Sequence, residues 1–440
     1  MCEIVYNILI TNFTVHRCII RSNAPSNLQM QPLGCIFVYA LNCITFGTAI
    51  DPAAGSGNFL TETYLSLRRL ENEALYEENH GQMLLGVNGK YNPIQVSIGQ
   101  FYGIEINDFA VTVAKTALWI AESQMMQETE KLMQINLNFL PLKSYANIVE
   151  GNALRIDWES VVPKEKLNYI MGNPPFVGYS LQSKEQKSDI LSIYVDEKGK
   201  PYKTAGKIDY VAGWYFKATM LMIGTEIRTA FVSTNSITQG EQVAGVWKPL
   251  YDRFGIHIDF AHRTFRWDSE ASLKAHVHCV IVGFSIADNA MDRLLFDSDR
   301  YIVVDNINPY LIATKTVFIE GHTKPICNSI IPMISGNRPA DGGNLILSQV
   351  EKDELISKEP QAEKYIKRFM MGYEFINNVP RYCLWLVGIS PAELRKMPEV
   401  MKRVEACRQD RLNGAPDRQK LADTPTVFRE QLNPDKFIAL

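Results

Sequence analysis

The sequence predicts an α/β protein built around a mostly parallel β-sheet with helices on both faces. From about residue 48 onward, short apolar segments of strand length alternate with longer segments of helical periodicity. The unusual motifs that contain glycine, asparagine or proline each follow one of the strand-like segments. Because ligands of such sheets bind outside the carboxyl ends of the strands, these observations predict a ligand site along one edge of the sheet.

The predicted elements follow one another in a regular order. The first five strands are TAI (48–50), FYGIEI (101–106), NIVEGN (147–152), NYIMGN (168–173) and TAFVSTN (229–235). The helices are NFLTETYLSLRRLENEALY (58–76), NDFAVTVAKTALWIAESQM (107–125), IDYVAGWYFKATMLMI (208–223) and GEQVAGVWKPLYDRF (240–254). Asn107 or Asp108 is the expected cap of the second helix. GIHIDFAH (255–262) and HVHCVIVGFS (276–285) are strands with no helix between them, which predicts antiparallel pairing.

Three stretches interrupt the alternation. Residues 77–100 are rich in glycine and asparagine and are typical of a surface insertion, and the alternation weakens after about residue 286. Residues 180–207, the lysine-rich segment, directly follow two consecutive prolines. Its lysines either face solvent or contact nucleic-acid phosphates, two readings that the sequence leaves open. They are Lys184, Lys187, Lys198, Lys200, Lys203 and Lys207.

The composition is that of an ordinary globular protein, with 440 residues, 46% hydrophobic and 21% charged, and a net charge of -3. A nucleic-acid partner would therefore have to be bound by local basic patches.

The eight cysteines form no C-x-x-C pair, which argues against a zinc site and for a reduced, cytoplasmic protein. His276 and His278 lie beside Cys279, but a packed strand face explains them better than a metal site. No apolar run reaches the ~20 residues of a membrane helix.

The first motif is DPAAGSGNFL, which connects a strand to a helix. Gly55 and Gly57 allow the backbone to approach a ligand closely, and the following helix begins with free N–H groups that suit a carboxylate. Asp51 at the strand end is a candidate partner for a ligand ammonium group. The alternative is a plain tight turn between strand and helix. No lysine follows the glycines, which excludes a Walker phosphate loop.

Two further strands end in polar residues. Glu105 lies at the end of the second strand, where an acidic side chain typically binds ribose hydroxyls. Its distance from the glycine-rich motif exceeds the usual ~20 residues, and the 77–100 insertion accounts for the excess. Asn152 lies at the end of the third strand and can hydrogen-bond an adenine edge, with Asp157 as an alternative. Taken singly, Glu105 is better explained as a solvated or capping carboxylate, and an Asx turn explains Asn152 or Asp157 equally well.

The string NPPF, from Asn173 to Phe176, is the most specific motif. Pro174 and Pro175 fix the backbone and remove two donors, so neither a helix nor a central strand continues here. The Asn173 side-chain carbonyl and the Pro174 backbone carbonyl are two acceptors suited to the two hydrogens of a planar amine. The amine nitrogen then conjugates less with its ring and becomes a better nucleophile. Phe176 can stack on the same base.

Together these motifs resemble those of class I S-adenosylmethionine-dependent DNA methyltransferases of the adenine-N6 group, in the gamma order. The strings NPPFVGYS, GWYFKA, FVSTNSITQGEQV and AHRTFRWDSEASLKAHVHCVIVGF are similar to the methyltransferase part of type IIL restriction–modification fusion proteins. The resemblance implies a seven-stranded, mostly parallel Rossmann-like sheet with helices on both faces. It divides the chain into an atypical segment (1–46), the methyltransferase domain (47–286) and a linker with a partial target-recognition region (287–440).

The resemblance also implies a role for each site residue. Double-stranded DNA would be the substrate and S-adenosyl-L-methionine the cofactor, with no metal and no membrane partner. The methionine end of the cofactor would contact Asp51, Ala53, Gly55 and Gly57, its ribose Glu105, and its adenine Asn152 and Ala153. The catalytic turn would consist of Asn173, Pro174, Pro175 and Phe176. Phe265 or Trp267 would supply a second aromatic wall for the target base, and the choice between them stays open.

Two departures from the family pattern suggest other readings. Residues 1–46 do not resemble the helical region that precedes the glycine-rich motif in the family, and the recognition region is expected to be incomplete. A truncated remnant that binds DNA or cofactor weakly is therefore one alternative. A methyltransferase that acts on protein glutamine or RNA is another, because NPPF-like turns also hold other planar amines. A cytosine-C5 enzyme is disfavoured because no Pro-Cys pair occurs. The sequence gives neither the recognition site nor the oligomeric state.

Overall fold

The computed structural model describes residues 47–78, 94–134, 137, 147–268, 276–287, 292–298, 300–321 and 336–431. The chain forms two compact units that divide between Gly321 and His322. The predicted N-terminal segment 1–46 and most of the 77–100 insertion lie outside the described residues. Within the described part, no helix has the length and apolar character needed to cross a membrane.

The first unit contains a large sheet and five helices of ten residues or more among its described residues. Its strands are β1 (Ala49–Asp51), β2 (Phe101–Glu105), β3 (Asn147–Glu150), β4 (Tyr169–Gly172), β5 (Arg228–Thr234), β6 (His257–Asp268), β7 (His276–Ser285), β8 (Arg293–Asp297) and β9 (Arg300–Val304). Its helices are α1 (Asn58–Glu78), α2 (Asp108–Met133), α3 (Lys184–Ile193), α4 (Ala212–Met222) and α5 (Gly240–Phe254). The predicted strand–helix alternation is confirmed.

The sheet order is β3-β2-β1-β4-β5-β7-β6-β8-β9. The neighbouring strands from β3 to β5 are parallel to one another. β7 pairs antiparallel with β6, as predicted, and also antiparallel with β5. The described sheet has nine strands rather than the seven expected. The two additional strands, β8 and β9, pair with each other antiparallel and extend the sheet beyond β6. These two strands were not predicted from the sequence. No helix separates them, so they do not continue the strand–helix alternation, and most side chains of β9 are exposed.

Helices cover both faces of the sheet because successive side chains of each strand point to opposite sides. On one face, Ile104 of β2 and Phe231 of β5 lie in a core with Trp214 of α4 and Trp247 of α5. On the other face, Phe101 of β2 and Met171 of β4 lie in a core completed by Leu60, Ala114 and Leu118 of α1 and α2. The parallel strands are thereby buried on both faces, which leaves their ends as the accessible edge.

Hydrogen bonds explain where two helices begin. Asn107, rather than Asp108, caps α2, because its side-chain Oδ1 accepts a hydrogen bond from the Ala110 N–H at 3.0 Å. The helix predicted from residue 208 begins only at Ala212. Asp209 and Tyr210 instead hold the loop that leaves the Pro-Pro turn: the Asp209 Oδ1 accepts from the Tyr179 N–H at 3.1 Å, and the Tyr210 N–H donates to the Val177 carbonyl at 2.9 Å.

The second unit has its own core around a three-stranded antiparallel sheet of order β10-β12-β11. Its elements are β10 (Ile346–Ser348), α6 (Gln349–Lys358), β11 (Ile366–Arg368), α7 (Gly372–Asn377), β12 (Arg381–Leu384), α8 (Pro391–Leu394), α9 (Pro398–Leu412) and α10 (Pro416–Gln419). The fully buried guanidinium of Arg411 donates five hydrogen bonds to backbone carbonyls of residues 339–340 and 421–427. The five hydrogen bonds satisfy all five N–H donors of this buried side chain and tie the two loops together.

Candidate active site

The polar residues at the strand ends come together at one edge of the sheet. β3, β2, β1 and β4 are adjacent and parallel, so their carboxyl ends lie side by side. Asp51 ends β1 and Glu105 ends β2, while Asn173 directly follows β4 and Asn152 lies two residues after the end of β3. The structure therefore lines up the four predicted polar groups in the spatial order Asn152, Glu105, Asp51, Asn173.

Asp51 is buried, with 1% of its surface exposed. Its Oδ1 accepts a hydrogen bond from the Ala53 N–H at 2.9 Å, whereas Oδ2 is buried and has no hydrogen-bond partner among the described residues. A Cβ on Gly172, the last residue of β4, would lie 2.3 Å from Oδ1. Only glycine fits there, so the carboxylate packs directly against the strand that leads to Asn173. Sequence analysis missed this role of Gly172.

Burial raises the pKa of Asp51 from 3.8 to about 7. The Ala53 N–H opposes this shift by stabilising the charged form, and the nearby negative charge of Glu105 adds to it. The carboxylate is therefore only partly ionised at neutral pH in the absence of a positively charged partner. A cation placed against the free Oδ2 would restore the charged form.

The glycine-rich turn has two glycines with positive φ, +54° at Gly55 and +81° at Gly57, as the turn requires. The Gly55 N–H donates to the Glu105 carboxylate at 2.9 Å, which ties the turn to the end of β2. A Cβ on Gly57 would lie 2.9 Å from the Cβ of Ala114 in α2. Gly57 therefore allows close contact between the turn and a helix, in addition to its predicted role toward a ligand.

Glu105 bridges two backbone segments. Its Oε2 accepts from the Gly55 N–H, and its Oε1 accepts from the Asn107 N–H at 3.0 Å. Each carboxylate oxygen can accept a further hydrogen bond, so the side chain can hold ligand hydroxyls while it fixes the turn. The next residue, Ile106, is an apolar side chain that is 67% exposed. It provides an apolar contact surface beside Glu105 that sequence analysis did not identify.

Asn152 forms the Asx turn that was considered as an alternative, and it also makes a long-range contact. Its Oδ1 accepts from the Leu154 N–H at 2.9 Å, and its Nδ2 donates to Asp189 of α3 at 3.0 Å. Asp157 is only a local cap, because its side chain accepts from the Glu159 N–H. The structure thus favours Asn152 over Asp157 as the polar group at this strand end.

Ala153 follows Asn152 and is buried. Its carbonyl accepts hydrogen bonds from the Trp158 indole and from the Lys217 ammonium group of α4, both at 2.8 Å. Burial lowers the pKa of Lys217 to about 8, an effect that the charge of Asp157 partly opposes. Lys217 therefore binds the loop after β3 to α4, a role with no recognisable signal in the sequence because the two residues are 64 positions apart.

The Pro-Pro turn presents an unsatisfied acceptor. The Oδ1 of Asn173 is buried and has no hydrogen-bond partner among the described residues. Pro174 is buried, Pro175 is exposed, and Phe176 is partly buried. A buried acceptor without a donor costs free energy, so such an atom in a native protein calls for an explanation. A ligand that donates a hydrogen bond to Asn173 supplies one.

Phe176 and Phe265 belong to the same apolar cluster. Both side chains are partly buried and pack against a core that contains Phe260, Cys279 and Ile281. Phe265 follows an irregularity in β6 between His262 and Phe265, and its ring lies edge-to-face against His262 with 5.0 Å between ring centroids. Trp267 lies two residues further along β6, opposite Val277, and its side chain is outside the described residues.

In the described part of the chain, no group of three or more His, Cys, Asp or Glu side chains is arranged to hold a metal ion. His278 is exposed, whereas Cys279 is fully buried on the neighbouring position of β7. Burial raises the pKa of the Cys279 thiol to about 11, so this thiol is protonated at neutral pH.

Comparison with known proteins identifies two family matches. The MmeI DNA-methyltransferase domain matches residues 40–297, and the MmeI target recognition domain matches residues 313–439. DNA methyltransferase A of Bacillus subtilis (strain 168) is 40% identical over 385 residues, which cover 86% of this chain and 42% of that protein. The type IIL restriction–modification enzyme MmeI, solved in complex with DNA, aligns with a TM-score of 0.84 and 38% identity over 98% of this chain and 57% of its own. The chain spans about half the length of these relatives.

Proposed function

The chain belongs to the MmeI DNA-methyltransferase family, and we propose that it transfers a methyl group from S-adenosyl-L-methionine to N6 of an adenine in double-stranded DNA. The observation that carries this proposal is the buried, unpartnered Oδ1 of Asn173 on a turn fixed by Pro174 and Pro175. A neutral amide oxygen suits a neutral N–H donor such as an exocyclic amine. The proline after it contributes a backbone carbonyl as a second acceptor.

The two acceptors activate the amine. When Asn173 Oδ1 and the Pro174 carbonyl each accept one N6 hydrogen, the nitrogen lone pair conjugates less with the purine ring. S-adenosylmethionine, when bound, supplies a methyl group made electrophilic by a positively charged sulfur. As the new N–C bond would form and the methyl–sulfur bond would break to leave a neutral thioether, the nitrogen would gain positive charge and its hydrogens would bind more strongly to both acceptors. N6 would then lose one of these hydrogens as a proton to solvent. The turn is rigid, so this stabilisation requires little reorganisation.

The residues at the strand ends fit the proposed cofactor. Asp51 has one carboxylate oxygen without a partner, which suits the ammonium group of the methionine part. Glu105 can still accept hydrogen bonds from ribose hydroxyls. Asn152 keeps one Nδ2 hydrogen and one Oδ1 lone pair that can bind the hydrogen-bonding edge of adenine. Ala53, Gly55 and Gly57 form the turn that approaches the methionine part, and Ala153 lies beside Asn152.

Aromatic side chains suit a base that has left the duplex. Phe176 and Phe265 share one cluster, so we assign Phe265 rather than Trp267 as the second wall of the base pocket. Unstacking a base costs a few kcal/mol, and contacts with aromatic rings offset part of that cost. The match to a target recognition domain at residues 313–439 supports DNA, rather than RNA or protein glutamine, as the substrate.

Cytosine C5 chemistry requires a reactive thiolate, which the described cysteines do not offer. Cys279, Cys383 and Cys407 are all buried, and burial raises the pKa of each thiol to about 11. Direct attack by an amine needs no such nucleophile. The described site therefore favours amino methylation.

A labelling experiment tests the substrate class. The protein is incubated with S-adenosylmethionine labelled at the methyl group and, separately, with duplex DNA of mixed sequence, RNA or a protein extract. We expect label in the DNA alone. Label in RNA or protein with none in DNA would contradict the proposed function.

Replacing Glu105 with alanine is expected to weaken S-adenosylmethionine binding by roughly 1.5–3 kcal/mol, because a charge-assisted hydrogen bond is lost and the glycine-rich turn loses its anchor. Calorimetric titration measures the effect. Glu150→Ala is the matched control, since Glu150 pairs with Glu105 at the end of the neighbouring strand and is exposed. Equal affinities of Glu105→Ala and wild type would leave Glu105 with a capping role only.

The lysine-rich segment is proposed to contact DNA phosphates. All six of its lysines are exposed, and Asp196 fixes its turn by accepting backbone N–H groups of Lys198 and Lys200 at 2.9 Å. Substitution of these side chains therefore leaves the turn intact. Changing Lys198, Lys200 and Lys203 to serine is expected to lower the slope of log affinity against log salt by up to about 2.7, since each phosphate contact adds about 0.9.

The salt dependence of DNA binding, measured by fluorescence anisotropy, tests this assignment. Lys164→Ser with Lys166→Ser serves as the control, because these residues precede the amino end of β4, at the opposite edge of the sheet from Asn173. Affinity for free S-adenosylmethionine should not change in either variant. An unchanged slope in the triple variant would mean that the segment faces solvent when DNA is bound.

A further inference from the structure

Asp189 is a buried carboxylate in α3 that the proposed mechanism does not use, with 4% of its surface exposed. Its Oδ2 accepts hydrogen bonds from the Asn152 Nδ2 and from the Tyr210 hydroxyl, both at 3.0 Å. Its Oδ1 accepts from the Arg155 Nε at 2.7 Å. Asp189 thus joins the loop after β3, where adenine is expected to bind, to the segment before α4, whose Tyr210 N–H donates to the Val177 carbonyl just after the Pro-Pro turn.

The ion pair with Arg155 does not by itself explain the burial of this carboxylate. The Arg155 side chain is 60% exposed, so water screens its charge and the pair contributes little to stability. The contacts with Asn152 and Tyr210 lie deeper. An ionised carboxylate only accepts hydrogen bonds, so it needs donors from both residues.

This acceptor dictates the orientation of the Asn152 side-chain amide. The NH2 group of Asn152 must face Asp189, and its oxygen must face the Leu154 N–H, as the structure has it. Rotating the amide by half a turn would place oxygen against carboxylate and NH2 against N–H. Both contacts would then be repulsive, so the inverted orientation is disfavoured twice.

We propose that Asp189 is a positioning residue that locks the Asn152 amide in the orientation that reads the 6-amino group of the cofactor's adenine. The proposal rests on the proposed function, because it concerns the cofactor named there. In the locked orientation, Asn152 keeps one N–H and one oxygen lone pair for a ligand. Adenine presents the complementary pair, a ring-nitrogen acceptor and an amino donor.

The 6-oxo purine of inosine presents the reverse pattern, with a carbonyl acceptor at position 6 and a protonated ring nitrogen beside it. An Asn152 amide that could rotate would accept either base. An amide held by Asp189 and by the Leu154 N–H favours adenine. Asp189 therefore strengthens base discrimination through Asn152, without touching the ligand itself.

The experiment compares S-adenosylhomocysteine with its 6-oxo analogue, S-inosylhomocysteine, by calorimetric titration of the full chain. For wild type we expect the adenine compound to bind on the order of 5- to 150-fold more tightly, the usual discrimination of one bidentate contact. In Asp189→Asn, whose amide can offer either an acceptor or a donor to Asn152, one of the two contacts that disfavour the inverted orientation is lost. The ratio should therefore fall several-fold, although the Leu154 N–H still favours the native orientation. Arg155→Ala should keep the wild-type ratio, since it removes the exposed ion pair alone.

Two further variants keep the test decisive. Asp341→Asn changes a carboxylate of the second unit that is 3% exposed, and it should leave the ratio unchanged. Asn152→Ala removes the reading group directly, so its ratio should also fall, even if Asp189→Asn does not fold. A wild-type ratio in Asp189→Asn or in Asn152→Ala would overturn the inference while leaving the proposed function intact. Failure of wild type to bind S-adenosylhomocysteine at all would overturn both.

Discussion

Replacing Asn173 with alanine is expected to slow methyl transfer to DNA by ~10²–10³-fold, the usual loss for one preorganised hydrogen-bonding group in an active site. The side-chain oxygen of Asn173 is buried and unpartnered in the described structure, so its removal creates no new unsatisfied group in the protein. In the proposed mechanism, the substitution removes an acceptor that is engaged only when the target amine is present. Single-turnover kinetics with S-adenosylmethionine at saturation isolates the methyl-transfer step.

The same variant should bind the cofactor normally. Asn173 follows β4, whereas the residues proposed to contact cofactor follow β1, β2 and β3. Calorimetric titration with S-adenosylhomocysteine provides the control, and a thermal melt checks the fold. A single-turnover rate close to wild type in Asn173→Ala would remove the catalytic role assigned to this residue.

Replacing Asp51 with asparagine is expected to have opposite effects on cofactor affinity and on stability. Loss of the carboxylate should weaken S-adenosylmethionine binding by roughly 2–5 kcal/mol, the range for truncating one partner of a buried charge pair. Asp51 has a raised pKa of about 7, because burial disfavours its charged form. Ionisation of Asp51 therefore opposes folding of the unliganded protein.

The stability of the unliganded protein should decrease as Asp51 ionises with rising pH. A carboxyl whose pKa rises from 3.8 to about 7 on folding contributes stability below pH 4, and this contribution is lost as the pH rises through 7. A shift of about three units corresponds to roughly 4 kcal/mol. Asp51→Asn should therefore raise the melting temperature of the unliganded protein at pH 8, and the gain should shrink toward pH 5, where wild-type Asp51 is protonated.

Cofactor affinity should follow the same ionisation. Below about pH 7, wild type must release a proton from Asp51 to bind an ammonium group, so its affinity should fall by up to tenfold for each pH unit. Titrations at pH 5.5, 6.5 and 8 measure this in both proteins. The cofactor affinity of Asp51→Asn should depend much less on pH. Parallel pH profiles for the two proteins would contradict the assignment of Asp51 to the cofactor's ammonium group.

The parts of the fold that local patterns specify were predictable from the sequence. The alternation of apolar and amphipathic segments specified the parallel strands and their helices, and a polar residue after each strand indicated the site edge. For the cap of α2, the sequence left a choice between Asn107 and Asp108, because both residue types are good caps, and the structure shows that Asn107 is the cap. β8 and β9 were missed because they form a hairpin outside the strand–helix alternation, and most side chains of β9 are exposed.

The site was predictable only where a residue carries its own signal. The NPPF string and the glycine-rich turn are such cases. Gly172 is not, because its importance lies in contact with Asp51 on the neighbouring strand. Asp189 and Lys217 contact the loop after β3 from helices that lie 37 and 64 positions further along the chain. No local pattern encodes such pairs, since tertiary packing alone brings them together.

The central claim is that an amine held by Asn173 is the adenine N6 of DNA. It is tested most directly by mass spectrometry of nucleosides from duplex DNA incubated with S-adenosylmethionine and either wild type or Asn173→Ala. From wild-type reactions we expect N6-methyl-2′-deoxyadenosine. At early times, reactions with the variant should contain less of this nucleoside by ~10²-fold or more. Methylated cytosine in place of methylated adenine, or equal adenine methylation by both proteins, would contradict the account.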